Sequence, residues 1–442
     1  MKTKRLLFIG HLWPEPTSSA AGYRTLALLD ALSKDKTEQG NAYWQLYFAS
    51  AAEQTEFAYD LNSMTIRSHA IKLNDASFDQ FIQKLAPDIV IYDRFISEEQ
   101  YAPRVHEHCP DAIHILDTQD LHFLRRARQA AVKNQQPINL YTDDSIREIA
   151  AILRCDLSLI ISRYEMRLLI EQFNIPAQIL HYCPFMFDTS GNKESSKNIK
   201  KFTQRAHFMM IGNFLHPPNW DAVLWTYQQL WPKIHQQLPD AQLHIYGAYP
   251  SAKVWQLHQP NKGFYIKGRA ENALNTLADY RVNLAPLRFG AGIKGKIADG
   301  FMSRTPCVTT TIGYEGMYEN KQSAWGGLIS DSINDTEQFI SLAVNLYSSQ
   351  TLWQQCSEQA YALIPKLFSQ KQHSSHFLER IHHLVRHINE HRKTHFISQI
   401  LHHNAYRSQY YMSKWIEAKN QHRAAENSSL RRENRSIIKH NQ

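Results

Sequence analysis

Residues 285–316 read APLRFGAGIKGKIADGFMSRTPCVTTTIGYEG. An apolar run ends at Pro286. A glycine-rich loop with two lysines follows, from Gly290 through Gly292, Lys294, Gly295 and Lys296. Ile297 to Ser303 has helical spacing, and Cys307 to Ile312 is a β-branched run. Strand, glycine loop and helix in that order form an anion site. Glycine lets backbone N–H groups approach a phosphate, and a helix start adds partial positive charge. The lysines add full charges, so the segment points to a diphosphate-bearing ligand. It is not a Walker A loop, because Gly-Lys-Ser/Thr is missing. Gly290-Ala-Gly292-Ile-Lys-Gly295 has Gly-x-Gly-x-x-Gly spacing, but it lies late in the chain and is crowded by lysine, unlike a dinucleotide fingerprint. Taken alone, such a loop is as often turn geometry as function.

The same alternation of strand and helix runs outward in both directions. Strands are expected at Arg5–Gly10, Trp44–Ala49, 87–92, Ala112–Leu116 and Leu157–Ile161, with helices at Ala20–Leu32, Ser77–Leu85 and Tyr141–Arg154. Met1–Gly10 is basic and then apolar, but Leu6–Ile9 is short for a signal peptide and reads as a first buried strand. Ser162-Arg-Tyr-Glu165 has capping-box spacing ahead of a helix running to about Phe173. Residues 188–203 are polar and lack an apolar pattern, as a linker would. A second alternating unit then covers Ala206–Ile211, Asn219–Leu238, Gln242–Gly247, Ala270–Ala278 and Val282–Pro286.

Four ordered segments carry a family resemblance. They are Ile211-Gly-Asn-Phe214 with Pro217-Pro-Asn219, Leu243-His-Ile-Tyr-Gly247, Ile266-Lys-Gly268, and the loop through Pro306 to Gly313-Tyr-Glu315-Gly316. Together they resemble the donor site of retaining glycosyltransferases of the GT-B fold, "group 1" or family 4. The resemblance implies two Rossmann-like, doubly wound α/β domains facing across a cleft. The expected divisions are an acceptor-side domain at 1–187, a linker at 188–203, a nucleotide-sugar donor domain at 204–370 and a basic helical tail at 371–442. It also implies a nucleotide-sugar substrate, no cofactor, no metal and retention of configuration. The chain departs from the family at its pair of glutamates seven residues apart. Counting back from Pro306, the second falls on Asp299 and the first on Ala291.

The resemblance assigns donor binding to Asn213, Gly290, Gly292, Ile293, Lys294, Lys296, Asp299 and Glu315. Asp299 is the ribose candidate, and Lys294 with Lys296 would stabilise a leaving diphosphate. Gly22, after the first strand, would allow close approach to donor phosphates. Asp117-Thr-Gln-Asp120-Leu-His122-Phe-Leu-Arg125 follows a strand and is dense in titratable groups. Asp120 and His122 are the candidates there for contact with the transferred sugar, so the candidate catalytic set is Asp120, His122 and Lys294. Each has a plainer alternative: a solvated lysine, a first-turn acid favoured by the helix dipole, or a capped helix start with structural ion pairs.

The chain has 442 residues, 43% of them hydrophobic, enough for two or three domains. Its five cysteines include no CxxC pair, which fits a reducing cytoplasm and neither a disulfide framework nor a zinc site. No apolar stretch approaches the ~20 residues of a membrane span. Net charge is +8, and all of it lies after position 370, where 13 Lys and Arg face 5 Asp and Glu. That segment also holds 11 of the 23 histidines. Helical spacing puts Phe377, Ile381, Leu384, Val385 and Ile388 on one face. The pairs His382-His383 and His402-His403 lack the partners of a metal site and read as solvated helix positions. The leading expectation is a cytoplasmic glycosyltransferase acting on a glycan or lipid-linked acceptor in surface polysaccharide or glycoconjugate synthesis. Its basic, aromatic tail would hold it peripherally at an anionic membrane face. The alternative is a degenerate glycosyltransferase-like protein working in assembly through that tail. Nucleic-acid binding, suggested by Arg431, Arg432 and Arg435, is least favoured because the body is neutral and carries no such motif.

Overall fold

The computed structural model describes residues 3–188, 200–317 and 325–440, with side chains described as far as 426. Most of the expected linker and the distal arginines therefore lie outside the described residues or side chains.

The first unit winds around seven parallel strands: β1 (Lys4–Ile9), β2 (Trp44–Ser50), β3 (Arg67–Ala70), β4 (Ile89–Asp93), β5 (Ile113–Asp117), β6 (Leu157–Ile160) and β7 (Leu180–Tyr182). Their order is β3-β2-β1-β4-β5-β6-β7. The central strands are buried on both faces, hence their continuous apolar runs. The second unit orders six parallel strands as β10-β9-β8-β11-β12-β13. These are β8 (Ala206–Ile211), β9 (Leu243–Tyr246), β10 (Phe264–Gly268), β11 (Tyr280–Ala285), β12 (Cys307–Thr310) and β13 (Gly327–Ser330). In both sheets the strand order reverses about the first strand, so a switch point opens at the carboxyl edge. The expected β-branched strand Cys307–Ile312 stops at Thr310, whose hydroxyl caps a helical turn at Thr311–Tyr314.

The chain passes between the units twice, side by side. Phe187 N–H donates to Phe368 O at 2.8 Å, and Gln370 N–H donates back to Phe187 O at 3.0 Å. The Gln370–Arg386 helix then returns to the first domain and buries Phe377, Ile381 and Leu384 with Leu28 and Leu32. Further helices at Ile388–Thr394, Phe396–Leu401 and Arg407–His440 continue over the same domain. The histidines expected to be solvated divide. His383 and His403 are exposed, but His402 is buried and donates from Nε2 to Arg154 O at 2.6 Å. His382 contacts Asp35 at 2.8 Å and stacks on Trp44. The correction has a simple cause: the carbonyls at the end of the Asp143–Arg154 helix need donors, and the C-terminal helices supply them.

Candidate active site

The carboxyl edges of the two sheets face each other, and the loops leaving β5, β6, β8, β11 and β12 meet there. After β8, Asn213 Oδ1 accepts from Leu215 N–H at 2.8 Å, and Asn219 Nδ2 donates to Asn213 O at 2.8 Å. Lys296 Nζ donates to Asn219 Oδ1. Asn213 thus shapes the turn, and Asn219 links it to the lysine. A small pocket lined by Gly212, Asn219, Ala285 and Lys296 opens at this point. Burial lowers the Lys296 amine to about 8. Lys294 is more deeply enclosed and donates from Nζ to Gly292 O at 2.7 Å. Burial lowers its pKa too, opposed by Glu315. One buried and one half-buried ammonium group, neither in direct contact with a carboxylate among the described residues, concentrate positive charge here.

Lys294 and Lys296 bracket the start of the Gly295–Met302 helix. Asp299 lies one turn in, half-buried; its carbonyl accepts from Ser303 Oγ at 2.9 Å, while its carboxylate has no hydrogen-bond or ion-pair partner among the described residues. Burial raises its carboxyl to about 7. Ala291 and Ile293 are buried in the loop, Ala291 with the first domain's core and Ile293 beside Ile161 and Ile297.

The first domain reaches this loop directly. A Cβ at Gly292 would stand 3.0 Å from Asp120 Cβ and 3.2 Å from Ile161 Cγ2, and the residue has φ +63°. Asp120 contacts Arg125 at 2.7 Å and His122 at 3.2 Å. Burial alone would raise its carboxyl, but Arg125 and His122 prevail and hold it well below the usual range. Burial lowers His122, against the pull of Asp120. Its Nδ1 is buried without a hydrogen-bond partner among the described residues, as is Asp93 Oδ1 at the end of β4. Arg94 and Gln119, beside these strand ends, hold left-handed backbone at φ +70° and +62°, the kind of strain that gathers at working sites.

Glu315 and Gly22 are placed for other contacts. Glu315 forms a two-pronged pair with Arg128 of the first domain, both bonds at 2.7 Å, and Arg128 also donates to Gly290 O at 2.8 Å. A Cβ at Gly22 would stand 2.5 Å from the Glu15 backbone, so the loop before the Ala20–Lys34 helix needs that glycine for its own packing. The structure therefore gathers Asp120, His122, Gly290, Gly292, Lys294 and Glu315 at one interdomain contact. Lys296, Asp299, Asn213 and Asn219 lie on the second domain beside it.

Three residues at this contact escaped the sequence reading. Arg128 is one. His216 is the second, on the β8 loop within electrostatic reach of Arg125, Asp120 and Lys296. Glu165, the third, looked like part of a helix cap. Among the described residues no cluster of metal-ligating side chains forms.

Residues 205–349 match the family described as Glycosyl transferases group 1. This is a glycosyltransferase domain. The chain as a whole shares the GT-B fold with solved structures. HepE from Anabaena, in complex with UDP and glucose, is 12% identical with a TM-score of 0.60, covering 86% of this chain and 99% of that one. Sucrose-phosphate synthase from Thermosynechococcus elongatus is 10% identical with a TM-score of 0.62, covering 86% and 99%. TarM from S. aureus is 13% identical with a TM-score of 0.54; the match covers 69% of this chain and spans 58% of TarM. A comparison with curated protein sequences finds no match.

Proposed function

We propose that the glycosyltransferase moves a sugar from a nucleotide-diphosphate donor to a glycan or lipid-linked acceptor, with retention and without metal. The observation that carries this reading is the pair of lysines, Lys294 buried and Lys296 half-buried, bracketing a helix start inside the matched domain. As the glycosidic bond breaks, negative charge grows on the leaving diphosphate. Preorganised ammonium groups and a helix dipole in a dry cleft stabilise that charge more than they stabilise the bound donor, which lowers the barrier. Asp299 is suited to accept from ribose hydroxyls, since its carboxylate has no partner among the described residues. Asp120 and His122 would meet the transferred sugar from the other wall. HepE's complex with UDP and glucose favours uridine as the base.

A peripheral site at the cytoplasmic face of a membrane is part of the proposal. No helix among the described residues is long and apolar enough to cross a membrane. Phe396 (65% exposed), Tyr411, Met412 and Trp415 (59%) are nevertheless displayed on the C-terminal helices, with Lys419 over the Trp415 ring. Aromatic and basic groups together suit an anionic interface. Equal affinity of the intact chain and a Trp415→Ala, Phe396→Ala variant for anionic vesicles would remove this part.

A thermal-shift series with UDP, GDP, ADP, TDP and their sugars tests the donor reading. A ligand bound by the folded state alone raises Tm by mass action. UDP is expected to raise it, and Lys294→Ala to abolish the rise. No rise with any nucleotide would favour the degenerate protein that acts in assembly.

A further inference from the structure

Ser162 and Glu165 have capping-box spacing, but only half of the box forms. Ser162 Oγ accepts from Glu165 N–H at 3.1 Å, as an N-cap should. The Glu165 carboxylate does not return to the Ser162 backbone. Its Oε1 accepts from Leu121 N–H at 2.9 Å and from Gly292 N–H at 2.8 Å, and its Oε2 contacts Ser162 Oγ at 3.1 Å. One buried oxygen thereby joins the loop after β5 to the glycine loop of the other domain. Gly292 is held from both sides, because Lys294 Nζ donates to its carbonyl. The close approach depends on missing side chains. Besides Gly292 against Asp120, a Cβ at Gly316 (φ +79°) would stand 2.9 Å from Ser162 Cβ, and one at Gly295 2.9 Å from Ala20 Cβ.

We propose that Glu165 is a positioning residue that sets the glycine loop for the donor by capturing the Gly292 N–H when the domains close. It touches none of the reacting atoms. A buried N–H must find an acceptor, and a fixed carboxylate oxygen that already receives Leu121 N–H offers one at a single position. The loop then settles in one register, with Lys294 tied to the same residue and Asp120 alongside. The Gly292 amide serves closure, while the charge of Lys294 remains uncancelled. Burial raises the Glu165 carboxyl to about 7, and a glutamine keeps the accepting oxygen whether or not charge is present. Geometry at Oε1, rather than net charge, is therefore the working feature. The positioning role rests on the donor-site reading above, whereas the capture itself does not.

Hydrogen exchange of residues 289–296 in the full chain, without ligand, reads the capture directly, and transfer kinetics with the UDP-sugar that raises Tm read its consequence. Glu165→Ala should speed loop exchange roughly tenfold or more and lower kcat more than it changes donor KM. Glu165→Gln should restore protection and most of kcat, which a merely structural role would not require. If Glu165→Ala does not fold, Glu165→Asp, which withdraws the accepting oxygen by one methylene, gives the same readout and should also speed exchange. Unchanged loop exchange in the folded variant of the two, or equal damage from Gln and Ala, overturns the proposal. If exchange responds as expected but no nucleotide shifts Tm, the capture stands and the donor reading falls. If a nucleotide binds and exchange does not respond, only the capture falls.

Discussion

The glycine loop and the C-terminal helices are both rich in basic groups, yet they use them in opposite ways. In the loop, Lys294 is buried and Lys296 half-buried, neither with a direct carboxylate partner among the described residues, so positive charge is held ready for a ligand. In the C-terminal helices the buried and half-buried histidines have partners. His395 donates to Leu153 O at 2.9 Å, His402 to Arg154 O and His391 to Asp156 O at 2.7 Å, while Arg392 pairs with Asp156. Composition alone puts the excess charge of the chain in its last 72 residues. Burial and partnering decide which basic groups do chemistry and which hold the first domain together.

The largest expected effect breaks the comparison on the C-terminal side. Tyr406 is fully buried and donates to Glu98 Oε1 at 2.6 Å, beside the Arg154–Glu98 pair. Tyr406→Ala should cost about 3–5 kcal/mol of stability, through a large cavity and a lost buried hydrogen bond. Denaturant unfolding followed at the first domain measures it. A loss under ~1 kcal/mol would mean the helices hang free, as a solvated tail would. On the loop side, Lys294→Ala or Lys296→Ala should lower kcat/KM roughly 100-fold or more, as removal of one charge-stabilising donor does elsewhere. Stability should hold or rise, because each change deletes a charge that burial disfavours. A variant that loses stability and keeps its rate would reverse the assignment.

Much of the frame was legible. Strands β1, β2, β4, β5, β8 and β9 fall within about two residues of their expected ranges; β4 and β5 are buried on both faces, whereas β2 and β9 alternate buried with half-buried residues. Edge strand β3 was missed, since all four of its residues are exposed and carry no apolar signal. The Arg94–His108 helix was missed too, with Pro103 inside it and polar residues around the apolar ones. The apolar face of Phe377, Ile381 and Leu384 was visible as a face, but not which surface it would cover. Local rules also misdirected the reading of Glu165. Three-residue spacing from a serine predicts a cap, and nothing local records that two N–H groups from distant loops compete for the same carboxylate. Gly22 shows the converse: a glycine after the first strand is visible, but its reason, the Glu15 backbone, is a contact of the fold.

A smaller effect sharpens the comparison through pH. Burial lowers His402 to about 4 and His114 well below its ordinary value, with His391 and His395 also lowered. A folded pKa below the unfolded one means the unfolded chain binds more protons between the two. Stability from these groups is complete above about 6.5 and falls as pH drops toward 4. Exchange protection over 396–406 should decline in that window, and His402→Gln, which keeps a donor and cannot charge, should blunt the decline. A flat profile in the parent would mean these rings are solvated.

The smallest effect comes from Asp299, and its sign is opposite. Burial raises its carboxyl to about 7, so the folded state holds a proton that the unfolded chain has released above about 4. Its contribution to stability is complete below the unfolded pKa and lost as pH rises through 7. Asp299→Asn carries no such charge and should therefore gain stability relative to the parent at pH 8, with little difference at pH 4. If the carboxylate also receives ribose hydroxyls, the same substitution should reduce the Tm rise given by UDP, since an amide offers one weaker acceptor in place of two charged ones. A half-buried acid that weakens the empty fold and strengthens the occupied one is retained for its ligand. An acid whose replacement changes neither would be the ordinary first-turn carboxylate of a helix. Paired melting curves at pH 4 and pH 8, with and without UDP, separate the two.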